Sequence, residues 1–231
     1  MDNSRTIRLA GREVPLVIRR SPRARRMALR IAGHDDSVEL VLPPRMREED
    51  GMDFLMSRAG WVTERLDRLP PRVPFADGAE LPLGGVPHAV RHAPDRRVPV
   101  AVEAGAILVG GRVEHLPRRL GDWLRAEARR RIAPLAAENA AALGQTIAAV
   151  TLRDTRSRWG SCARGGRLSF SWRLVLAPDW VLRYVVAHEV AHLVQPNHSP
   201  AFWRVVAQLN PDQTRARDWL RRHGTRLHRY G

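Results

Sequence analysis

The chain has 231 residues, 39 of them basic against 24 acidic, for a formal net charge of +15. Every basic residue is arginine, since lysine is absent. A hydrophobic fraction of 44% with 27% charged residues excludes a disordered chain, and no apolar run approaches the roughly 18–20 residues of a membrane span.

In chain order, the N-terminal stretch offers only Val14–Ile18 as an apolar run, too short for a secretory signal. Val14–Arg19, Arg26–Ile31 and Val38–Leu42 read as short strands, the last alternating Val38, Leu40 and Leu42 before Pro43-Pro44. A helix is expected over 46–69, with Phe54, Leu55, Trp61, Val62 and Leu66 on one side and Pro70-Pro71 as its stop. Further strands are expected over 81–91, 98–103 and 106–109, punctuated by Gly84-Gly85, Pro94-Asp95 and Gly110-Gly111. A long helix starts near Pro117 on a stripe of Leu120, Trp123, Leu124, Ile132 and Leu135. Pro134 is expected to kink or split it, and Gly144 to cap it.

Val150–Asp154 and Arg167–Trp172 look like strands joined by a glycine-rich turn, 160–166. Pro178-Asp179 opens a helix running to about Gln195, where Pro196-Asn197 stops it. Ser199 is the expected N-cap of the next helix, with Pro200 at its first position. A last helix fits 212–223, closed by Gly224. No internal repeat or low-complexity linker is visible. The fold class is α+β: a strand-rich region with one helix over 1–110, then a second region over 111–231. The boundary is soft, and one continuous domain is the other reading. The lone Cys162 excludes an internal disulfide and fits a reducing compartment, so a cytoplasmic location is expected.

Charge is unevenly spread. Residues 1–30 hold nine arginines and two acids, 31–110 nine and thirteen, and 111–231 twenty-one and nine. Such an excess attracts nucleic acid or phosphorylated ligands through salt-dependent forces, or is merely a solvated basic surface; a G- and C-rich genome accounts for the absent lysine but not by itself for the surplus over acids. Both readings stay open.

The chemistry concentrates in His188-Glu189-Val190-Ala191-His192, an H-E-x-x-H pattern on a predicted helix. At 3.6 residues per turn the two histidines lie one above the other, in reach of one zinc ion, with Glu189 beside them to take a proton from water bound there. A catalytic zinc needs a third protein ligand and an open fourth position. His198, just beyond the break at Pro196, is the natural candidate. A closed structural site would want four ligands, usually including cysteine, and Cys162 is the chain's only one.

Three groups of residues extend this pattern: Arg158-Trp159-Gly160-Ser161-Cys162, Trp172 to Pro178, and Tyr184 through Leu193 with Asn197 to Trp203. With Pro211-Asp212 and Trp219-Leu220, they make the sequence resemble the YgjP-like family of predicted metal-dependent hydrolases, relatives of the SprT-like zinc metallopeptidases. The motifs span about 150–222, and the N-terminal half is similar in layout. The resemblance implies a zincin-like metallopeptidase core, one zinc ion on His188, His192 and His198, and Glu189 as general base. Val190, Ser171 and Gln213 depart from the family pattern, in which leucine, asparagine and an aromatic residue are common.

The expected activity is hydrolysis of a peptide bond by zinc-bound water activated by Glu189, with a protein or peptide as partner. One alternative is hydrolysis of nucleotides or other phosphorylated small molecules. Another is a nucleic-acid-binding module with structural zinc, which the glutamate between the histidines opposes. Arg156, Arg158 and Tyr184 are further candidates for contacts to substrate or oxyanion, against a structural role for each. Trp159, Trp172, Phe202 and Trp203 read as core around the site, and Cys162 as a small packing residue rather than a latency ligand. The substrate and oligomeric state are not encoded in any motif.

Overall fold

The structure is a computed structural model describing residues 3–32, 35–155 and 157–231. It is mixed α and β, as expected, and divides into two compact units, Met1–Pro71 and Arg72–Gly231. The division therefore lies well before the boundary near 110 expected from sequence. The strands of 80–109 bury Leu81, Val90, Ile107 and Val109 in the same core as the long helix that follows them, so they cannot be separated from it.

The first unit holds strands β1 (Asn3–Leu9), β2 (Arg12–Arg20), β3 (Ala28–Ile31) and β4 (Val38–Leu42), in the order β1-β2-β4-β3. β1 escapes a reading by hydrophobic runs because only Ile7 and Leu9 of its seven residues are apolar. It is held by antiparallel pairing to β2, through a two-residue turn in which Ala10 and Gly11 both have positive φ. The expected helix over 46–69 is two, α1 (Glu48–Ser57) and α2 (Ala59–Asp67), broken at Arg58. Leu55, Val62 and Leu66 pack with Leu16, Leu40 and Leu42. A Cβ at Gly51 would lie 2.6 Å from a Leu42 methyl, so glycine lets α1 approach the sheet.

The second unit opens with β5 (Glu80–Leu83), β6 (Val86–His92), β7 (Val100–Glu103) and β8 (Ala106–Val109), ordered β5-β6-β8-β7. This repeats the pattern of the first sheet: a hairpin, a parallel pair, then an antiparallel one. The repetition is one of topology without sequence periodicity, which is why no repeat shows in the residues. Helix α3 (Leu116–Ala142) runs unbroken through Pro134. Pro134 is exposed, so its missing hydrogen bond falls on the solvent side. Leu116, Leu120, Leu124, Ala128, Ile132, Ala136 and Ala140 hold the helix to the core at intervals of four residues. Gly144, at φ 64°, ends it as expected.

A third sheet joins β9 (Ala149–Arg153), β10 (Gly160–Ala163) and β11 (Arg167–Ser171) in the order β10-β11-β9, leaving β10 at an edge. Half of the expected glycine-rich turn is thus strand. A buried turn over 172–176 leads into α4 (Asp179–Ala191), followed by α5 (Pro200–Leu209) and α6 (Gln213–Leu227). Glu127 on α3 is nearly buried and bonds Arg130 and Arg131 at 2.7 Å each, and Arg131 reaches Asp179 at the start of α4 at 3.0 Å. Burial pushes the Glu127 carboxyl up, but the two guanidiniums outweigh it and hold it below its usual range. Gly224 does not close α6. It lies inside the helix, where an added Cβ would stand 3.1 Å from the Trp159 ring.

Arg173 ties the end of the unit to its core. Its buried guanidinium donates to Asp154 at 2.8 Å, to the Leu227 carbonyl at 3.2 Å and to the Tyr230 carbonyl. Burial raises the Asp154 carboxyl, but the hydrogen bonds and charge of Arg173 prevail and lower it. The ionised pair thus stabilises the fold above the unfolded aspartate value of about 3.9, and that contribution disappears as pH falls through the lower folded value. Arg173→Ala should cost about 3–5 kcal/mol in chemical denaturation, because it leaves two carbonyls and a carboxylate without their donor.

Candidate metal centre and cleft

Helix α4 is apolar on nearly every side, burying Val181, Leu182, Val185, Val186, Val190 and Ala191. Hydrophobic contacts therefore fix its rotation and decide which residues face the remaining opening. His188 and Glu189 lie in its last turns. The helix ends at Ala191, short of the expected Gln195, yet His192 keeps helical angles (φ −67°, ψ −14°), so the two histidines retain their one-turn spacing. Tight turns at Leu193 and Val194 then reverse the chain. Ser199 caps α5 by accepting a hydrogen bond from the Phe202 amide at 3.3 Å, and Pro200 occupies the first position as expected. That reversal brings His198 back over α4.

One ring nitrogen from each of His188, His192 and His198 lies within 4.8 Å of the others, the only such group of potential ligands among the described residues. The Nε2 atoms of His188 and His198 are 3.0 Å apart. His192 Nδ1 donates to the Gln195 carbonyl at 3.0 Å, which leaves its Nε2 lone pair free. The Tyr184 hydroxyl stands 3.4 Å from His188 Nδ1, with Tyr184 itself 5% exposed. Burial, then the neighbouring His192, His198 and Arg217, lowers His188 to about 4. Burial also lowers His192, against the opposing effect of its bond to Gln195. Near neutral pH these two imidazoles are uncharged donors, the form a metal requires. A convergent set of three nitrogens, two with the outer nitrogen already engaged, fits a divalent zinc ion.

Glu189 is 7% exposed and its carboxylate accepts no hydrogen bond from the described residues. Burial raises it to about 7, against the lowering influence of Arg158. It rests on Gly160 of β10, where a Cβ would come within 2.5 Å of Glu189 Cγ. A cavity of about 470 Å³ opens over the site, walled by β10 and its turn on one side and by His188, Glu189, His192 and His198 on the other. A second, of about 270 Å³, lies on the Tyr184 side and is lined by Arg158, Trp159, Tyr184, Val185, Glu189 and Leu220.

The residues expected from sequence thus meet in one place, apart from Arg156, which lies outside the described residues. Arg158 reaches the site but has no ion pair with any described residue, contrary to the structural pairing considered for it. Tyr184 is buried support for His188. Trp172 and Phe202 are core, while Trp159 and Trp203 are only partly covered. Cys162 sits on β10 in the larger cavity, where burial and then the charge of Glu189 push its thiol up, away from the thiolate a metal ligand needs. Gly160, Gln195 and Arg217 were not anticipated. The first two act through backbone geometry, and Arg217 belongs to a helix far along the chain, so no local spacing marks them.

No curated protein matches the chain. Among solved structures, the metallopeptidase zymogen abylysin of Pyrococcus abyssi is similar at 24% identity and a TM-score of 0.37, with 43% of this chain and 97% of that one covered. A family model described as YgjP-like, metallopeptidase domain, matches residues 25–223, which takes in most of both units. The chain belongs to the YgjP-like metallopeptidase family.

Proposed function

We propose that the protein is a zinc-dependent peptidase with a zincin-like core formed by α4, α5 and the β9–β11 sheet. The observation that carries this reading is the unbonded, buried carboxylate of Glu189 beside three converging imidazoles in an open cleft. A closed structural site has no use for such a base. His188, His192 and His198 would hold one zinc ion, which when bound supplies a Lewis acid that polarises a peptide carbonyl and makes water at the site more acidic.

The protein's own residues do the rest. Glu189 takes the proton of the attacking water and returns it to the leaving amine. Its raised affinity for protons suits that shuttle, and a neighbouring dication would draw it back toward the carboxylate form. Gln195 fixes the His192 tautomer, and Tyr184 steadies His188. β10 offers unpaired backbone groups along the cleft, so an extended peptide can bind there by adding a strand.

A second reading, hydrolysis of phosphorylated small molecules, is favoured by Arg158 and Arg164 lining the two cavities. Incubating zinc-loaded protein with casein, nucleoside triphosphates and DNA–protein conjugates separates the two. Turnover of triphosphates alone defeats the peptidase reading. No helix among the described residues is long and apolar enough to cross a membrane. The lone Cys162 fits a reducing compartment, and on that ground we propose a cytoplasmic location.

Glu189→Gln should retain one equivalent of zinc by elemental analysis while losing about 100-fold or more of its peptidase rate. Undiminished cleavage would remove Glu189 from the mechanism. His198→Ala should lose the zinc, and a full equivalent retained would point to another third ligand. Gly160→Ala should keep the metal but displace Glu189, lowering kcat by about 100-fold, the scale of a misplaced catalytic group.

A further inference from the structure

Two arginines flank the site on its Tyr184 side. The cavity of about 270 Å³ containing Arg158 and a neighbouring one of about 440 Å³ containing Arg217 share Tyr184 and Leu220 in their walls, so they form successive parts of one groove. Arg217, on α6, lays its guanidinium 4.6 Å from the centre of the Trp203 ring. That ring lies 5.7 Å from His198 and 5.8 Å from His188. Arg217 is therefore held against an aromatic face that itself abuts two of the three imidazoles.

Both guanidiniums are exposed, and neither makes an ion pair or side-chain hydrogen bond with any described residue. On α3, by contrast, Arg118, Arg125, Arg130 and Arg131 all have carboxylate partners. The acid in the outer part of the groove, Asp218, is paired with Arg221 at 3.1 Å, and the other acid, Glu189, lies at the inner end. The groove thus presents two unneutralised planar cations beside Tyr184 and Leu220, with the Trp203 ring against Arg217. Stacking on Trp203 fixes the plane of one cation in advance, which reduces the entropy lost when it grips a planar anion.

We propose that this groove is a carboxylate-binding subsite, in which Arg217 and Arg158 receive an acidic group of the peptide substrate. The group is an Asp or Glu side chain or the terminal carboxylate, and the proposal rests on the peptidase reading for its substrate. Bidentate guanidinium–carboxylate contacts are directional and charge-assisted, so they select for charge as well as shape.

The test uses hexapeptides of one sequence that differ only in Glu against Gln and in a free against an amidated C-terminus. Cleavage by the zinc-loaded protein gives kcat/KM, and titration calorimetry on the zinc-loaded Glu189→Gln protein gives affinity without turnover. The carboxylate-bearing peptides should bind and react about tenfold better than their neutral partners, with a preference that shrinks as salt rises. Arg217→Gln and Arg158→Gln should each reduce that preference and together abolish it, so that in the double variant charged and neutral peptides bind with equal affinity and react with equal kcat/KM. Arg183→Gln, an exposed charge on α4 that lines neither cavity, should leave the preference intact. Which peptide pair responds identifies the source of the carboxylate.

A preference that survives the double variant, equal binding of charged and neutral peptides, or no binding of any peptide would overturn the subsite. Carboxylate-selective binding without cleavage would preserve the subsite and defeat the peptidase reading. Cleavage without selectivity would do the reverse.

Discussion

The burial of α4 is the constraint on which the rest of the site depends. A helix covered by α3, α5, α6 and β10 cannot rotate without exposing Val181, Val185 and Val190, so hydrophobic packing determines that His188, Glu189 and His192 face the cleft. The same burial sets their chemistry. It withholds protons from His188 and His192 and presses them on Glu189, so uncharged imidazole nitrogens and a carboxyl group of raised proton affinity coexist within two turns. Neighbouring elements complete the arrangement: Ser199 caps the helix that returns His198, and Gly160 vacates the volume that Glu189 occupies.

Charge has a more local meaning than the +15 total suggests. Some arginines of the second unit are internally committed. Arg130 and Arg131 close around Glu127, and Arg173 anchors the last turn of the chain. Those pairs neutralise acids and hold elements in place, leaving little of their charge for a partner. Arg158 and Arg217, which line the cleft, meet no described carboxylate. An unmatched cation beside a partly dehydrated site interacts more strongly than one on an open surface.

Sequence reasoning succeeded where a local pattern carries its own physical explanation. H-E-x-x-H requires helical spacing, Ser199-Pro200 is a helix start, and Gly144 takes the left-handed conformation that ends α3. It failed where distant packing decides. Pro134 leaves α3 continuous because the core-facing residues hold it on both sides, and Gly224 extends into α6 because the absent side chain admits Trp159. β1 exists through its hairpin pairing with β2, although only two of its seven residues are apolar.

By itself, the sequence determined an α+β protein, three histidines spaced to converge with a glutamate beside them, and the family motifs around them. Their periodicity and spacing are local properties of the backbone, and local properties are written in neighbouring residues. Only the tertiary structure decided that 72–110 belongs with the helix bearing His188 and Glu189, that Glu189 rests on Gly160, and that Arg217 stands beside Trp203 and the histidines. Each of these depends on surfaces brought together from distant parts of the chain, where burial and close packing choose the partner.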